Sequence, residues 1–194
     1  MLPVPVEWER VDEPPEELHD PSFEWVGDSL RRAGTVVHAF LQRIARRSSS
    51  VPELGTIRSA LANAGISPAE VDQVAKRVKS GLQRAVSSER GSWILAAHAE
   101  ARCEYPITGV LGGKIVRGMI DRTFVDADGV RWIIDYKTSA HEGGSVREFV
   151  DDQQRRYKDQ LDRYARLMTP MGQPVRLGLY FPLLDEWREW AFEN

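Results

Sequence analysis

The sequence predicts an α/β fold, a mixed β-sheet flanked by helices, and three observations predict it. An apolar stripe at i, i+3, i+4 and i+7 runs through Val37, Phe40, Leu41 and Ile44, which is helical periodicity. Strand-like segments then surround a hairpin signal, Asp126-Ala127-Asp128-Gly129. A second long helical stripe, Val150, Tyr157, Leu161, Tyr164 and Met168, precedes an alternating run of Val175, Leu177, Leu179 and Phe181. No internal repeat and no low-complexity segment interrupts this order.

Residues 1–27 are rich in proline and acid and lack periodicity, so they read as a linker or lead-in that packs loosely through Trp8 and Trp25. Such a start suits a domain excised from a larger protein, and it sets the expected domain at 28–194. The first helix spans about Asp28 to Arg47, with His38 at the border of its apolar stripe. Ser48 to Pro52 breaks it. A second helix runs from about Glu53 to Ala64 and stops at Gly65. The third is announced by Ser67 as N-cap, Pro68 at the first helical position and Glu70 closing a capping box. A short helix around Ser88 to Ala96 carries Trp93.

Three strands are expected next, about Ala99 to Ile107, Lys114 to Val125 and Val130 to Thr138, as an antiparallel meander. A loop from His141 to Ser145 leads into a helix from Val146 to Met168, which Gly172 to Pro174 ends. Val175 to Phe181 forms a strand, and Glu186 to Trp190 adds a short edge strand.

The hairpin also sets a register. A three-residue loop with Gly129 in the left-handed conformation pairs Asp126 with Val130 and, counting back, Asp121 with Asp135. Like charges directly opposed destabilise a sheet, and a divalent cation between them is the simplest reason to place them there. Residues i and i+2 of a strand share a face, so Lys137 looks into the same site as Asp135. In this register Ile120, Phe124, Trp132, Ile134 and Tyr136 fall on one face, and Met119, Val125 and Ile133 share the other with the carboxylates. Both faces are partly apolar, which predicts central strands covered on both sides. Taken singly, Asp121 could cap a strand end, Asp135 could pair with Lys137, and His38 could be a packed histidine. Their combination favours a site.

Gly34-Thr35-Val36-Val37-His38, Gly118-Met119-Ile120-Asp121-Arg122, Ile133-Ile134-Asp135-Tyr136-Lys137-Thr138 and Gln160-Leu161-Asp162-Arg163-Tyr164 occur in that order. Together they resemble the RecB-type branch of the PD-(D/E)xK nucleases, from about Gly34 to Tyr164. The resemblance implies a restriction-endonuclease-like fold and a metal-dependent deoxyribonuclease, an exonuclease before an endonuclease. It implies that His38, Asp121, Asp135 and the Tyr136 carbonyl bind Mg²⁺ or Mn²⁺ and that Asp121, Asp135 and Lys137 carry the chemistry. Gln160, Tyr164 and Arg156 are expected to support the site or touch DNA, although the helix stripe alone describes Tyr164 equally as core and Gln160 as exposed. Glu104, before Tyr105-Pro106, matches an acidic position of the branch, and an exposed strand acid describes it equally well. The resemblance further implies single-stranded DNA ends as substrate, a helicase domain or subunit as partner, and a role in repair or recombination.

Composition bounds the alternatives. The chain has 194 residues, 42% of them hydrophobic, enough for one domain with a sizeable core. No apolar run approaches membrane-spanning length and no signal-peptide pattern opens the chain. Cys103 is the single cysteine, which rules out an internal disulfide or a cysteine-ligated iron–sulfur cluster and suits a reducing cytoplasm. A phosphate-binding glycine loop and a nucleophile elbow are both missing from the sequence, so neither an ATP site nor Ser-His-Asp hydrolysis is indicated. The net charge of −3 is not that of an obvious nucleic-acid binder. Acid collects in the lead-in, whereas base gathers at Arg43, Arg46 and Arg47, at Lys76, Arg77 and Lys79, and at Arg155, Arg156 and Lys158. Two other readings remain: a catalytically silent module that binds DNA or docks a partner, and a metal-dependent phosphodiesterase acting on RNA or nucleotides.

Overall fold

The computed structural model describes residues 8–10, 24–47, 50–138, 145–169 and 172–193. The rest of the lead-in, the loop beginning at His141 and the side chains of Trp8, Trp25 and Arg47 lie outside the described residues. Strand β1 (Trp8–Arg10) and helix α1 (Glu24–Arg47) come first, followed by α2 (Leu54–Asn63), α3 (Val71–Ser87) and α4 (Glu89–Leu95). Then come β2 (Ala99–Leu111), β3 (Lys114–Val125), β4 (Arg131–Tyr136), α5 (Val146–Met168), β5 (Val175–Phe181) and β6 (Glu186–Ala191).

The strands form one mixed sheet ordered β1-β3-β4-β5-β6, with β2 on the other side of β3. β2, β3 and β4 make the expected antiparallel meander, β5 joins β4 in parallel after α5, and β6 closes an edge antiparallel to β5. Trp8–Arg10 pairs in parallel with Ile115–Arg117, a strand in a stretch expected to be irregular. Pro106 sits in β2, where a missing amide costs little because β2 lies beside β3 alone among the described strands.

Two apolar layers flank the sheet. Val37, Phe40, Leu41 and Ile44 of α1 pack with residues of α2, α3 and α4 on Phe124, Trp132, Ile134 and Tyr136. On the opposite face Val150, Leu161, Tyr164 and Met168 of α5 cover Ile120, Ile133, Leu177 and Leu179. Leu41, Leu61, Leu82 and Leu161 are wholly buried. Each such leucine gains roughly 1.5–3 kcal/mol from leaving water.

Local chemistry explains most boundaries. Gly65 at φ +86° ends α2, with Ile66 N–H donating to the Leu61 carbonyl. Ser88 caps α4 by accepting from Gly91 N–H, and Ser145 caps α5 by accepting from Glu148 N–H. The capping box before α3 takes another form. Ser67 Oγ donates to Glu70 Oε2 at 2.6 Å, so the two side chains satisfy each other and the regular helix begins only at Val71.

The β3–β4 register is the one the hairpin predicts. Gly129 has φ +78°, Asp126 N–H donates to the Val130 carbonyl, and Arg122, Thr123, Phe124 and Val125 oppose Ile134, Ile133, Trp132 and Arg131. Three expectations are corrected. β2 runs beyond Ile107 to Leu111, because Gly112 (φ +57°) and Gly113 (φ +81°) supply the two positive φ angles of a tight hairpin. Ile120 does not share a face with Phe124: it joins the α5 layer, whereas Phe124 joins the α1–α4 layer. Side-chain alternation changes phase between them, at Asp121. β2 changes phase in the same row, with Ala101 on the α1–α4 side and Tyr105 and Ile107 on the α5 side of Glu104. Glu104 itself has φ +48°, rare for a residue with a Cβ. The N-terminal half of β3 leaves Arg117 and Met119 exposed, so only its C-terminal half is covered on both faces.

Candidate metal and nuclease centre

The phase change occurs where acidic residues line up across three strands. In the β2–β3 register Cys103 opposes Arg122 and Tyr105 opposes Ile120, which leaves Glu104 facing Asp121. In the β3–β4 register the ladder ends at Arg122 and Ile134, one step before Asp121 and Asp135. Asp121 replaces the next ladder bond with its side chain, its Oδ2 accepting from Tyr136 N–H at 2.7 Å. The carboxylate thus does cap a strand end. Its other oxygen, Oδ1, lies 3.4 Å from Nδ1 of His38, whose side chain is 27% exposed.

Helix α1 brings His38 over this row. Val37 and Leu41 anchor the helix to the sheet, and the His38 ring meets the Tyr136 ring edge-on at 5.7 Å between centroids. Arg46, two turns further on, donates to the Cys103 carbonyl at 3.0 Å and so ties α1 to the strand residue before Glu104. One ligand atom from each of His38, Glu104 and Asp121 falls within 4.8 Å of the others. An imidazole nitrogen and two carboxylate oxygens at this separation are a donor set that fits a divalent ion of the Mg²⁺ or Mn²⁺ type.

Asp135 and Lys137 approach from the α5 side. Lys137 N–H donates to the Tyr180 carbonyl, which fixes its backbone against β5, and its Nζ lies 2.8 Å from Asp135 Oδ2. The same Nζ sits 3.3 Å from the centre of the Tyr157 ring. Arg156 lies 5.8 Å from that ring. Gln160 and Tyr164 share a helix face as expected, and Gln160 Nε2 donates to the Tyr164 hydroxyl at 3.0 Å. The Tyr164 ring packs directly on the Gly118 backbone.

The electrostatics follow from this crowding. Burial disfavours charge on His38, but Asp121, with Asp135 and Glu104 behind it, outweighs burial and raises its pKa to about 9. Burial and then Asp121 push the Glu104 carboxyl upward, against the pull of His38 and Arg46. Burial also opposes charge on Lys137, yet Asp135 holds its ammonium above the ordinary lysine value.

Residues 12–188 match the family model of the PD-(D/E)XK nuclease superfamily, a span that contains every side chain of this centre. The chain belongs to that superfamily. Its α/β architecture, a mixed sheet with helices on both faces, is the restriction-endonuclease-like fold of the superfamily. Among solved structures, SSO0001 is 17% identical over 88% of this chain and 77% of that one, with a TM-score of 0.32. A "Putative exonuclease" from Eubacterium rectale is 13% identical over 91% of this chain and 79% of that one, with a TM-score of 0.44. No curated protein is significantly similar in sequence.

Two residues of this PD-(D/E)XK chain gain weight from the structure. The sequence describes Glu104 equally well as a site acid or an exposed strand acid, and the structure sets it beside His38 and Asp121. Its signal was the Gly112-Gly113 pair: a two-residue hairpin there places Glu104 opposite Asp121 by counting. Tyr157 reads from sequence only as part of an apolar helix stripe, which says nothing of the ammonium it faces.

Proposed function

We propose that this chain is a metal-dependent deoxyribonuclease of the RecB type, hydrolysing phosphodiester bonds from DNA ends. The observation that carries the reading is the convergence of His38, Glu104 and Asp121 beside the Asp135–Lys137 pair. His38, Glu104, Asp121 and Asp135 would hold a divalent cation, with the Tyr136 carbonyl added by resemblance. Oxygen donors suit Mg²⁺, and the imidazole makes Mn²⁺ at least as acceptable. When bound, the ion supplies Lewis acidity and a water of lowered pKa.

The chain's own groups do the rest. Tyr136 N–H fixes Asp121 through Oδ2, which orients Oδ1 toward His38. Lys137 keeps its proton under the field of Asp135, so it positions and neutralises phosphate oxygens and does not serve as a general base. Gln160, Tyr164 and Arg156 belong to the α5 wall of the same site, where Arg156 would meet the DNA backbone. In this reading the catalytic domain is 28–194, a helicase domain or subunit feeds it single strands during repair or recombination, and the protein works in the cytoplasm.

Degradation of end-labelled single-stranded DNA tests the reading, with Mg²⁺, Mn²⁺ or EDTA and with Asp121→Ala in parallel. Cleavage that needs metal and disappears in Asp121→Ala is the expected result. Asp135→Ala or Lys137→Ala should be as silent while keeping the circular dichroism of the folded chain, each with a lowered urea midpoint because its buried partner charge is left unpaired. Metal binding without cleavage would point to a domain that works only with its motor. A chain that neither cuts nor binds metal would be an inert module, and the reading would be wrong.

A further inference from the structure

We propose that Tyr157 is a positioning residue for Lys137, clamping its ammonium against Asp135 with the face of the ring. This rests on the nuclease reading above and adds to it a side chain from outside the four matched motifs. The geometry is a two-point grip. Lys137 Nζ is 2.8 Å from Asp135 Oδ2 on one side and 3.3 Å from the Tyr157 ring centre on the other. The Lys137 side chain is 14% exposed and Tyr157 is 9% exposed, so little water competes for the cation. Desolvation strengthens attraction between an ammonium and an aromatic face.

A ring suits this position better than a second carboxylate. It attracts the cation without adding negative charge to a row that already holds Glu104, Asp121 and Asp135. It also takes no proton from the lysine. An ammonium has three N–H donors. With the Asp135 carboxylate on one side as an ion-pair partner and the ring on the other, N–H donors remain for a phosphate oxygen. The grip matters most when Asp135 is drawn toward a bound cation, because the ring then still holds the flexible four-carbon stem in place. Tyr157 is itself set rigidly, one helical turn before the wholly buried Leu161.

The test is steady-state cleavage of single-stranded DNA by Tyr157→Phe, Tyr157→Leu and a chain with pentafluorophenylalanine at 157. The fluorinated ring keeps the shape and removes the electron-rich face. Tyr157→Leu and the fluorinated chain should lose kcat by about tenfold with KM and Mn²⁺ affinity unchanged, and Tyr157→Phe should recover most of the loss. Wild-type kcat in the fluorinated chain, or a Tyr157→Phe loss as large as that of Tyr157→Leu, would overturn the proposal. NMR separates this from the nuclease reading. The ring should shift the Lys137 ε-methylene protons upfield in the wild type and in Tyr157→Phe, and Tyr157→Leu should abolish the shift. The shift in a wild-type chain that neither cleaves DNA nor binds Mn²⁺ would sink the nuclease reading and leave the grip standing. Its absence from the wild type would sink the grip.

Discussion

His38 shows how one residue can carry the state of the whole centre. Its pKa rises to about 9 because Asp121 lies 3.4 Å away with Asp135 and Glu104 behind it. A raised folded-state value stabilises the metal-free protein fully below the ordinary histidine pKa of about 6.5, and this contribution disappears as pH climbs through 9. A metal needs the neutral imidazole, so ion and proton compete for one nitrogen. Mn²⁺ binding at pH 7 should therefore release about one proton from His38, and affinity should rise with pH up to about 9. Calorimetry in buffers of different ionisation enthalpy measures that proton directly. The His38→Gln variant should release none from this position.

Between helix and strand, the decisive contact is Gly118 against α5. A Cβ at Gly118 would sit 2.3 Å from Cε1 of Tyr164, whose ring is 1% exposed and bonded to Gln160. A buried ring cannot swing aside, so the strand or the helix must shift. Gly118→Ala should cost about 1–3 kcal/mol of stability, the usual range for overpacking, read as a lowered urea midpoint at unchanged slope. Cleavage should fall as well, because α5 also carries Tyr157 onto Lys137. The glycine of Gly118-Met119-Ile120-Asp121-Arg122 is thus a packing requirement of the helix that walls the site.

For the molecule as a whole, the centre lies where two apolar layers meet through the sheet. His38 descends from the α1–α4 layer, and Lys137 with Tyr157 belongs to the α5 side. The phase change at Glu104 and Asp121 lets one row of carboxylates serve both. Every element from α1 to β6 contributes side chains to one or the other of the two layers. A fragment of residues 24–194 should accordingly unfold in one cooperative transition with the slope expected for its size, measured by circular dichroism in urea. A broad, multi-step transition would mean that residues 1–23, through the pairing of Trp8–Arg10 with β3, are part of the folding unit.

Much of this protein was legible in one dimension because the relevant rules are local. Helix stripes located α1, α3 and α5, and the bounds of α5, β3 and β5 follow from capping and alternation alone. One loop with its left-handed Gly129 determined the β3–β4 register, and with it the approach of Asp121 to Asp135. Ordered motifs named His38, Asp121, Asp135 and Lys137. Tertiary structure decided the remainder. Only packing shows that Glu104 adopts a left-handed backbone and turns toward His38, that Ile120 changes sides, and that Tyr157 lies over Lys137. Periodicity tells which residues share a face of one element, and a register tells which residues stand opposite. Neither states which face of a distant helix arrives above them, because that depends on how two separate apolar layers close over the same sheet.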